Sequence, residues 1–375
     1  MRESVIYVGI DVHKDTNSVC MFDSRDNTFF AESTLDAGTD VMVKYLKKAA
    51  KDYGLSCETQ FLLGYEAGPT GYGLCRGLKK HGYNCVIMAP TTIRKSSGDK
   101  VKTDRKDARL LSMTLASDGF RKVYMPDLAD ESTKEFTRTR NTLKKHLKKA
   151  KQNLLSFLLR VGVTYPESGN YWTEKHTEWL ESVSFSDKML QLSFDTLWQE
   201  VKDLDAKIAN LDAAIEEIAN SERYKDKVGK LVCFAGIQTH TALSMVCEVG
   251  DFTRFPTAEQ FSSYLGLCPG QESSGKTVRY GGITKCGNSR LRLLLIEAVK
   301  GIKRSNPYSR KSKRLLLRQQ GQSPAVIAYA DKGSKRIKQK MTSLEKKGKA
   351  ANVAATAGAR ELACFIWGMM NGKMD

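Results

Sequence analysis

Four carboxylates, Asp11, Glu66, Asp104 and Asp107, are spaced along the chain so that they could share one metal site. Asp11 closes the apolar run Val5-Ile6-Tyr7-Val8-Gly9-Ile10, and Glu66 closes Phe61-Leu62-Leu63-Gly64-Tyr65 ahead of the strand-breaking Gly68-Pro69-Thr70. A side chain at the carboxyl end of a central strand lies at the edge of an open sheet, the usual ligand position. Asp104 and Asp107 stand three residues apart in a helical pattern, which puts both on one face. Carboxylates gathered in this way repel unless a cation lies between them, and hard oxygen donors favour Mg2+ or Mn2+ over zinc. Two such ions can clamp the attacking and leaving oxygens of a phosphodiester. The chemistry expected is therefore nucleolytic cleavage or strand transfer. Singly, an Asp at a strand end or an acidic pair in a first helical turn is more often a turn or cap residue; it is their order and strand context together that point to a site.

The elements that would position them follow from periodicity. Short β-rich runs at 5–10, 18–22 and 28–31 read as a three-strand meander. A helix around 38–53 follows, then the Glu66 strand, a helix around 70–82, the strand 85–89 and a helix from about 104. The order β-β-β-α-β-α-β-α is that of an α/β, RNase H-like fold, and places residues 1–128 in one domain.

Composition agrees with a polyanionic partner. The 375 residues carry 60 basic and 42 acidic side chains, a net charge of +18. Between Arg279 and Lys349, 20 Lys and Arg face only Glu297, Asp331 and Glu345, so nearly the whole excess is local. Phosphate neutralisation there would make binding salt-sensitive, whereas the bland alternative is a solvated face. Nine cysteines, odd in number and without a CxxC pair, suggest neither a disulfide framework nor a zinc ribbon. With no signal-type apolar core at the amino terminus and no apolar run near the ~20 residues of a membrane span, a soluble, cytoplasmic protein with no membrane partner is expected.

A helical middle segment is expected over 129–222. Leu190, Phe194, Leu197, Val201, Leu204, Ile208, Leu211, Ile215 and Ile218 recur at alternating spacings of four and three, the seam of a coiled coil. A weaker stripe runs through Leu143, Leu147, Ala150, Leu154, Phe157 and Val161, and an intramolecular hairpin and a dimerising arm fit both stripes equally well. Lys144, Lys145, Lys148 and Lys149 crowd the outer face as a strip for phosphates or as a solvated face. From 223 to 375 a mostly α domain is expected. Its opening run Leu231–Ile237, with a helix from about Thr241, resembles a helix-hairpin-helix whose turn amides could meet a phosphate. The polar stretch after Cys268, ending in Ser273-Ser274-Gly275-Lys276, reads as only a turn. The Ala-rich tail from about 350 to 371 reads as a docked helix.

Four segments together resemble the insertion-sequence 110 type of DEDD transposase, related to the Piv DNA invertases and including bridge-RNA-guided recombinases. They are Tyr7-Val8-Gly9-Ile10-Asp11-Val12-His13-Lys14, Tyr65-Glu66-Ala67-Gly68-Pro69-Thr70-Gly71, Lys102-Thr103-Asp104-Arg105-Lys106-Asp107-Ala108-Arg109, and Gly266-Leu267-Cys268-Pro269 leading through Ser274-Gly275-Lys276 to Gly287-Asn288-Ser289-Arg290-Leu291-Arg292. The resemblance covers most of the chain. It implies a RuvC-like domain whose metal-binding tetrad is Asp11, Glu66, Asp104 and Asp107, and a carboxy-terminal transposase domain supplying a serine nucleophile. By position before Gly275 that serine is Ser274, with Ser273 as the neighbouring alternative. A hydroxyl needs a metal or base to become nucleophilic, which the tetrad would provide. The resemblance further implies Mg2+ or Mn2+ as cofactor, DNA ends and target as substrates, a structured guide RNA, a homo-oligomer (dimer or tetramer) and a nucleoid-associated protein of a bacterium or archaeon. Lys102, Arg105, Lys144, Lys145, Lys148, Lys149, Lys276, Arg279, Lys285, Arg290 and Arg292 are the expected nucleic-acid contacts.

Three other functions compete. A RuvC-type junction nuclease would use metal-activated water and leave Ser274 idle. A non-catalytic nucleic-acid-binding protein would not need four intact carboxylates. A sugar kinase-like ATPase would need a Gly-rich phosphate loop, which the sequence lacks.

Overall fold

In the computed structural model the described residues are 5–93, 103–167, 169–274, 277–305 and 310–374, with the side chains of Ser274 and Thr277 outside the description. The chain divides into two compact units, Met1–Met125 and Pro126–Asp375.

The first unit is a five-stranded mixed sheet flanked by helices. Its elements are β1 (Val5–Val12), β2 (Thr16–Asp23), β3 (Thr28–Asp36), α1 (Thr39–Asp52), β4 (Gln60–Glu66), α2 (Gly73–Lys80), β5 (Asn84–Met88) and α3 (Asp104–Ala116). The sheet order is β3-β2-β1-β4-β5. The meander β1-β2-β3 is antiparallel, whereas β4 and β5 extend β1 in parallel. The expected order of elements is found.

β1 is central, and its side chains alternate between the two faces of the sheet. Ile6, Val8 and Ile10 join Leu63, Tyr65 and Ile87 beneath Met42 and Leu46 of α1 and Leu78 of α2. The opposite face carries Tyr7, Leu62 and Val86 beneath Leu111 and Leu115 of α3. Gly9 lies on that second face, where a Cβ would overlap the carbonyl oxygen of Ala108 and the amide of Ser112. Absence of a side chain at Gly9 is what lets α3 lie backbone-to-backbone on the central strand.

The second unit holds both segments expected as the middle and carboxy-terminal domains. Its elements are α4 (Leu128–Arg160), α5 (Glu174–Ser182), α6 (Lys188–Ala219), α7 (Lys225–Leu231), α8 (Thr239–Val249), α9 (Ala258–Tyr264), the hairpin β6 (Pro269–Ser274) and β7 (Thr277–Ile283), α10 (Ser289–Arg304), α11 (Lys313–Gln319), α12 (Pro324–Lys346) and α13 (Ala351–Met370). Asp127 and Asp187 cap α4 and α6 through their side chains.

α4 and α6 run antiparallel, because Arg140 pairs with Asp212 while Lys151, further along α4, pairs with the earlier Asp205. Leu147, Ala150, Leu154 and Phe157 pack there against Phe194, Trp198, Val201, Leu204 and Ile208. The seam of α6 therefore has an intramolecular partner over much of its length, and its far end, Ile215 and Ala219, enters the core of the remaining helices. At the arm's tip, His176 of α5 is buried among the rings of Tyr165, Tyr171, Trp172 and Trp179.

One expectation for this unit needs correction. The stretch after Cys268 is a two-stranded hairpin with Ser274 opposite Thr277, not a simple turn. Between α7 and α8 the chain makes a turn where the helix-hairpin-helix was expected, and its carbonyl side is held by the rest of the unit. Gly236 packs on the Ala298 carbonyl of α10, and Arg318 and Gln319 donate to the carbonyls of Val232, Ala235 and Cys233. The tail forms α13, buried along most of its length as expected.

Candidate metal centre and serine hairpin

The alternation of β1 that puts Gly9 beneath α3 puts Asp11 on the same face, two residues nearer the carboxyl edge. β4 runs beside it with Ile10 opposite Tyr65, so Asp11 and Glu66 follow at adjoining strand ends. α3 begins over this edge. Thr103 caps it, accepting the amide of Lys106 at 3.3 Å, and Asp104 and Asp107 occupy its first turn. Three separate elements thus deliver the four expected carboxylates to one end of the sheet.

Their convergence is uneven. Donor atoms of Asp11, His13 and Asp104 lie within 4.8 Å of one another. His13 Nε2 stands 3.2 Å from Asp11 Oδ2 and 3.6 Å from Asp104 Oδ1. Asp107 is near enough to act on Asp11 electrostatically, and Glu66 lines the same cleft, of about 950 Å3, with Asp11, His13, Lys14 and Asn17. Burial raises the Asp11 carboxyl above its ordinary range; His13 opposes that, while Asp107 and Asp104 push it further up. Crowded, partly buried carboxylates with an imidazole beside them fit a divalent cation.

Sequence reasoning did not single out His13, although its spacing of two from Asp11 at a strand end was a usable signal. Nor did it single out Asn17. That side chain is 2% exposed, lines the cleft and has no hydrogen-bond partner for Oδ1 among the described residues. Glu32 of β3 was also missed. It pairs with both Arg105 and Arg109 and so ties α3 to the meander. Burial alone would raise the Glu32 carboxyl, but Arg109 and Arg105 outweigh it and hold it below the ordinary range. Arg105, expected to face nucleic acid, is engaged in this contact.

The serine hairpin is anchored at its root. Arg292, another expected nucleic-acid contact, is turned inward. Its Nη1 donates to the carbonyls of Leu265 at 3.0 Å, Gly287 at 3.2 Å and Cys286 at 3.3 Å. Asn288 caps α10 through Oδ1 and donates from Nδ2 to Glu248 at 2.6 Å. Glu248 also accepts both Nε and Nη2 of Arg138 at 2.7 and 3.0 Å, linking α4 and α8 to the start of α10. Ser274 ends β6, and the neighbouring Ser273 accepts a hydrogen bond from Gln271 at 2.8 Å.

Of the other expected contacts, Lys144, Lys145, Lys148 and Lys149 are exposed on α4 and form no ion pair among the described residues. Arg279 is exposed opposite Glu272, and Lys285 and Arg290 are exposed near the hairpin root. Lys102 and Lys276 lie outside the described residues. The local basic excess is partly internal, since Lys303 pairs with Glu345, Lys311 with Asp331, and Arg336 and Lys340 with Glu361. Among the described residues no helix is long and apolar enough to cross a membrane.

Comparison with known proteins places the chain. Residues 8–162 match the DEDD transposase family of the IS110 type, and residues 230–314 match the Transposase IS116/IS110/IS902 family. The transposase for insertion sequence element IS1533 of Leptospira borgpetersenii is 33% identical over 349 residues, covering 92% of this chain and 98% of that protein. A putative transposase, y4qE, of Sinorhizobium fredii is 33% identical over 365 residues, covering 96% of this chain and 87% of that protein. The transposase for insertion sequence element IS1111A of Coxiella burnetii is 26% identical over 239 residues, covering 62% of this chain and 65% of its own. With the two family matches falling on the carboxylate cleft and the serine hairpin, and relatives aligned over nearly its whole length, the chain belongs to the IS116/IS110/IS902 family of transposases.

Proposed function

We propose that this transposase cleaves and rejoins DNA strands to move an insertion sequence, using a carboxylate-bound metal and a serine nucleophile under the guidance of a structured RNA. The observation that carries this is the convergence of Asp11 and Asp104, with Asp107 and Glu66 beside them, at the carboxyl edge of β1 and β4. A central β1 joined to an antiparallel meander on one side and parallel strands on the other supports an RNase H-like, RuvC-like reading of residues 1–128. Asp11, Glu66, Asp104 and Asp107 would hold Mg2+ or Mn2+, which when bound would supply Lewis-acid stabilisation of charge on phosphodiester oxygens.

Ser274 is the proposed nucleophile. Its hydroxyl oxygen forms a bond to phosphorus as the bond to the leaving strand breaks, the hydroxyl proton passing to a base and the leaving oxygen gaining one. The result is a serine-linked phosphodiester and a free strand end. Attack by a hydroxyl of the joining strand reverses the exchange, so no net oxidation or hydrolysis is needed. The root contacts of Arg292 and Asn288 hold the hairpin that carries this serine. Lys144, Lys145, Lys148 and Lys149, with Arg279, Lys285 and Arg290, are proposed to bind phosphates of DNA and guide RNA. The arm over 129–222 is proposed as a coiled-coil element that brings chains together as a dimer or tetramer, and 223–375 as the transposase domain.

The test is Asp104→Ala, measured for cleavage of element-end DNA in Mg2+ and for nucleic-acid binding. Cleavage should be lost while binding and its salt dependence stay near wild type. Cleavage by Asp104→Ala at the wild-type rate would leave Asp104 as no more than a first-turn helix residue.

A further inference from the structure

We propose that His13 is a nitrogen ligand of the metal centre, so that the site takes a divalent cation through mixed carboxylate and imidazole donors rather than through the carboxylate tetrad alone. This rests on reading the cleft as a metal site. In extended backbone, residues two apart share a face, so the end of β1 that presents Asp11 also presents His13, with Val12 turned away. The turn that follows is fixed by the amide of His13 donating to the carbonyl of Thr16 at 2.9 Å, which holds His13 beside the strand end.

The imidazole is well placed for the role. Its Nε2 lies 3.2 Å from Asp11 Oδ2 and 3.6 Å from Asp104 Oδ1, between carboxylates from two different elements. These three residues form the group of potential ligands whose donor atoms all lie within 4.8 Å of one another. The side chain is 46% exposed, so the imidazole is open to an ion arriving from solvent. Asn17, opposite Val12 on β2, reaches the same cleft from the other face of the sheet, buried and with no hydrogen-bond partner for Oδ1 among the described residues.

A nitrogen donor changes metal preference. Imidazole strengthens binding of first-row transition ions far more than binding of Mg2+, which dehydrates reluctantly and prefers oxygen. The site should therefore favour Mn2+ over Mg2+ by a margin that depends on His13, and His13→Ala should reduce the ratio of Mn2+ to Mg2+ affinity by about tenfold.

The experiment is Mn2+ titration of the full chain by electron paramagnetic resonance, with Mg2+ as competitor, followed by electron spin-echo envelope modulation of the bound ion. Wild type, His13→Ala and Asp11→Ala are compared, together with wild type grown on 15N-histidine, which needs no substitution. The expected result is 14N modulation in wild type that shifts to 15N on histidine labelling, disappears in His13→Ala and accompanies the weaker Mn2+ binding. Mn2+ bound in wild type and lost in Asp11→Ala, but with no histidine-dependent modulation and unchanged affinity in His13→Ala, would overturn the role of His13 and leave the metal site standing. Mn2+ binding that is absent in wild type, or indifferent to Asp11→Ala, would overturn the metal site and His13's role with it.

Discussion

Gly9 of β1 and Ala108 of α3 meet backbone to backbone, and a Cβ on Gly9 would overlap the Ala108 carbonyl oxygen. The first turn of α3 carries Asp104 and Asp107, so this contact sets how close they come to Asp11. Gly9→Ala cannot be accommodated by a flexible side chain moving aside, because the obstacle is main chain. It should lower stability by roughly 1–3 kcal/mol or more and move α3 off the strand. Thermal unfolding and Mn2+ affinity, measured together, should both fall. A variant with wild-type midpoint and affinity would show that α3 is not seated on Gly9.

Glu32 joins α3 to β3 through Arg105 and Arg109. Its carboxyl is held below the ordinary range by those arginines despite burial. A depressed acid contributes stability that is present above its unfolded value, near 4.5, and lost as pH falls through the folded value. Both arginines are substantially exposed, so Glu32→Gln should cost only on the order of 1 kcal/mol at neutral pH. Its penalty should shrink as the pH drops below about 4.5. Midpoints for the two proteins that stay equally far apart from pH 7 to pH 3 would contradict this ion-pair account.

Leu204 is buried in the contact between α4 and α6, whereas Leu211, on the same seam, is only half-buried. Leu204→Asp should cost roughly several kcal/mol by leaving an unpaired charge against apolar neighbours. Leu211→Asp should cost clearly less. Equal thermal midpoints for the two variants would show that the seam is not buried by α4. Light scattering on the same samples tests the proposed assembly, which should weaken if the arm joins subunits.

Much of the first unit was legible because strand alternation and helix periodicity are strong over 5–116, and because Asp11 and Glu66 each end an apolar run. Less could be read where partners come from distant segments. His13 gave only a spacing; its value depends on Asp104, 91 residues later in sequence, arriving beside it. Arg105 and Arg292 carry the charge of phosphate contacts, yet Glu32 and three carbonyls claim them, and nothing local in the sequence marks those partners. In the hairpin carrying Ser274, β6 is polar after its first residues and β7 alternates only through Val278 and Tyr280, both exposed, so little marks it as a half-buried strand. A Gly-x pair between two short runs, at Gly275-Lys276, was the available sequence signal for a two-residue connection.

In the proposed mechanism Ser274 attacks DNA and carries the strand covalently. The direct measurement is mass spectrometry of peptides after the protein reacts with element-end DNA and its RNA in Mg2+ and the reaction is stopped in denaturant. The prediction is a phosphodiester-linked nucleotide on Ser274, absent from Ser274→Ala and from Asp11→Ala, and retained in Ser273→Ala. An adduct mapped to Ser273, strand exchange by Ser274→Ala, or cleavage to free ends with no adduct at all would contradict it, the last of these favouring metal-activated water as the nucleophile.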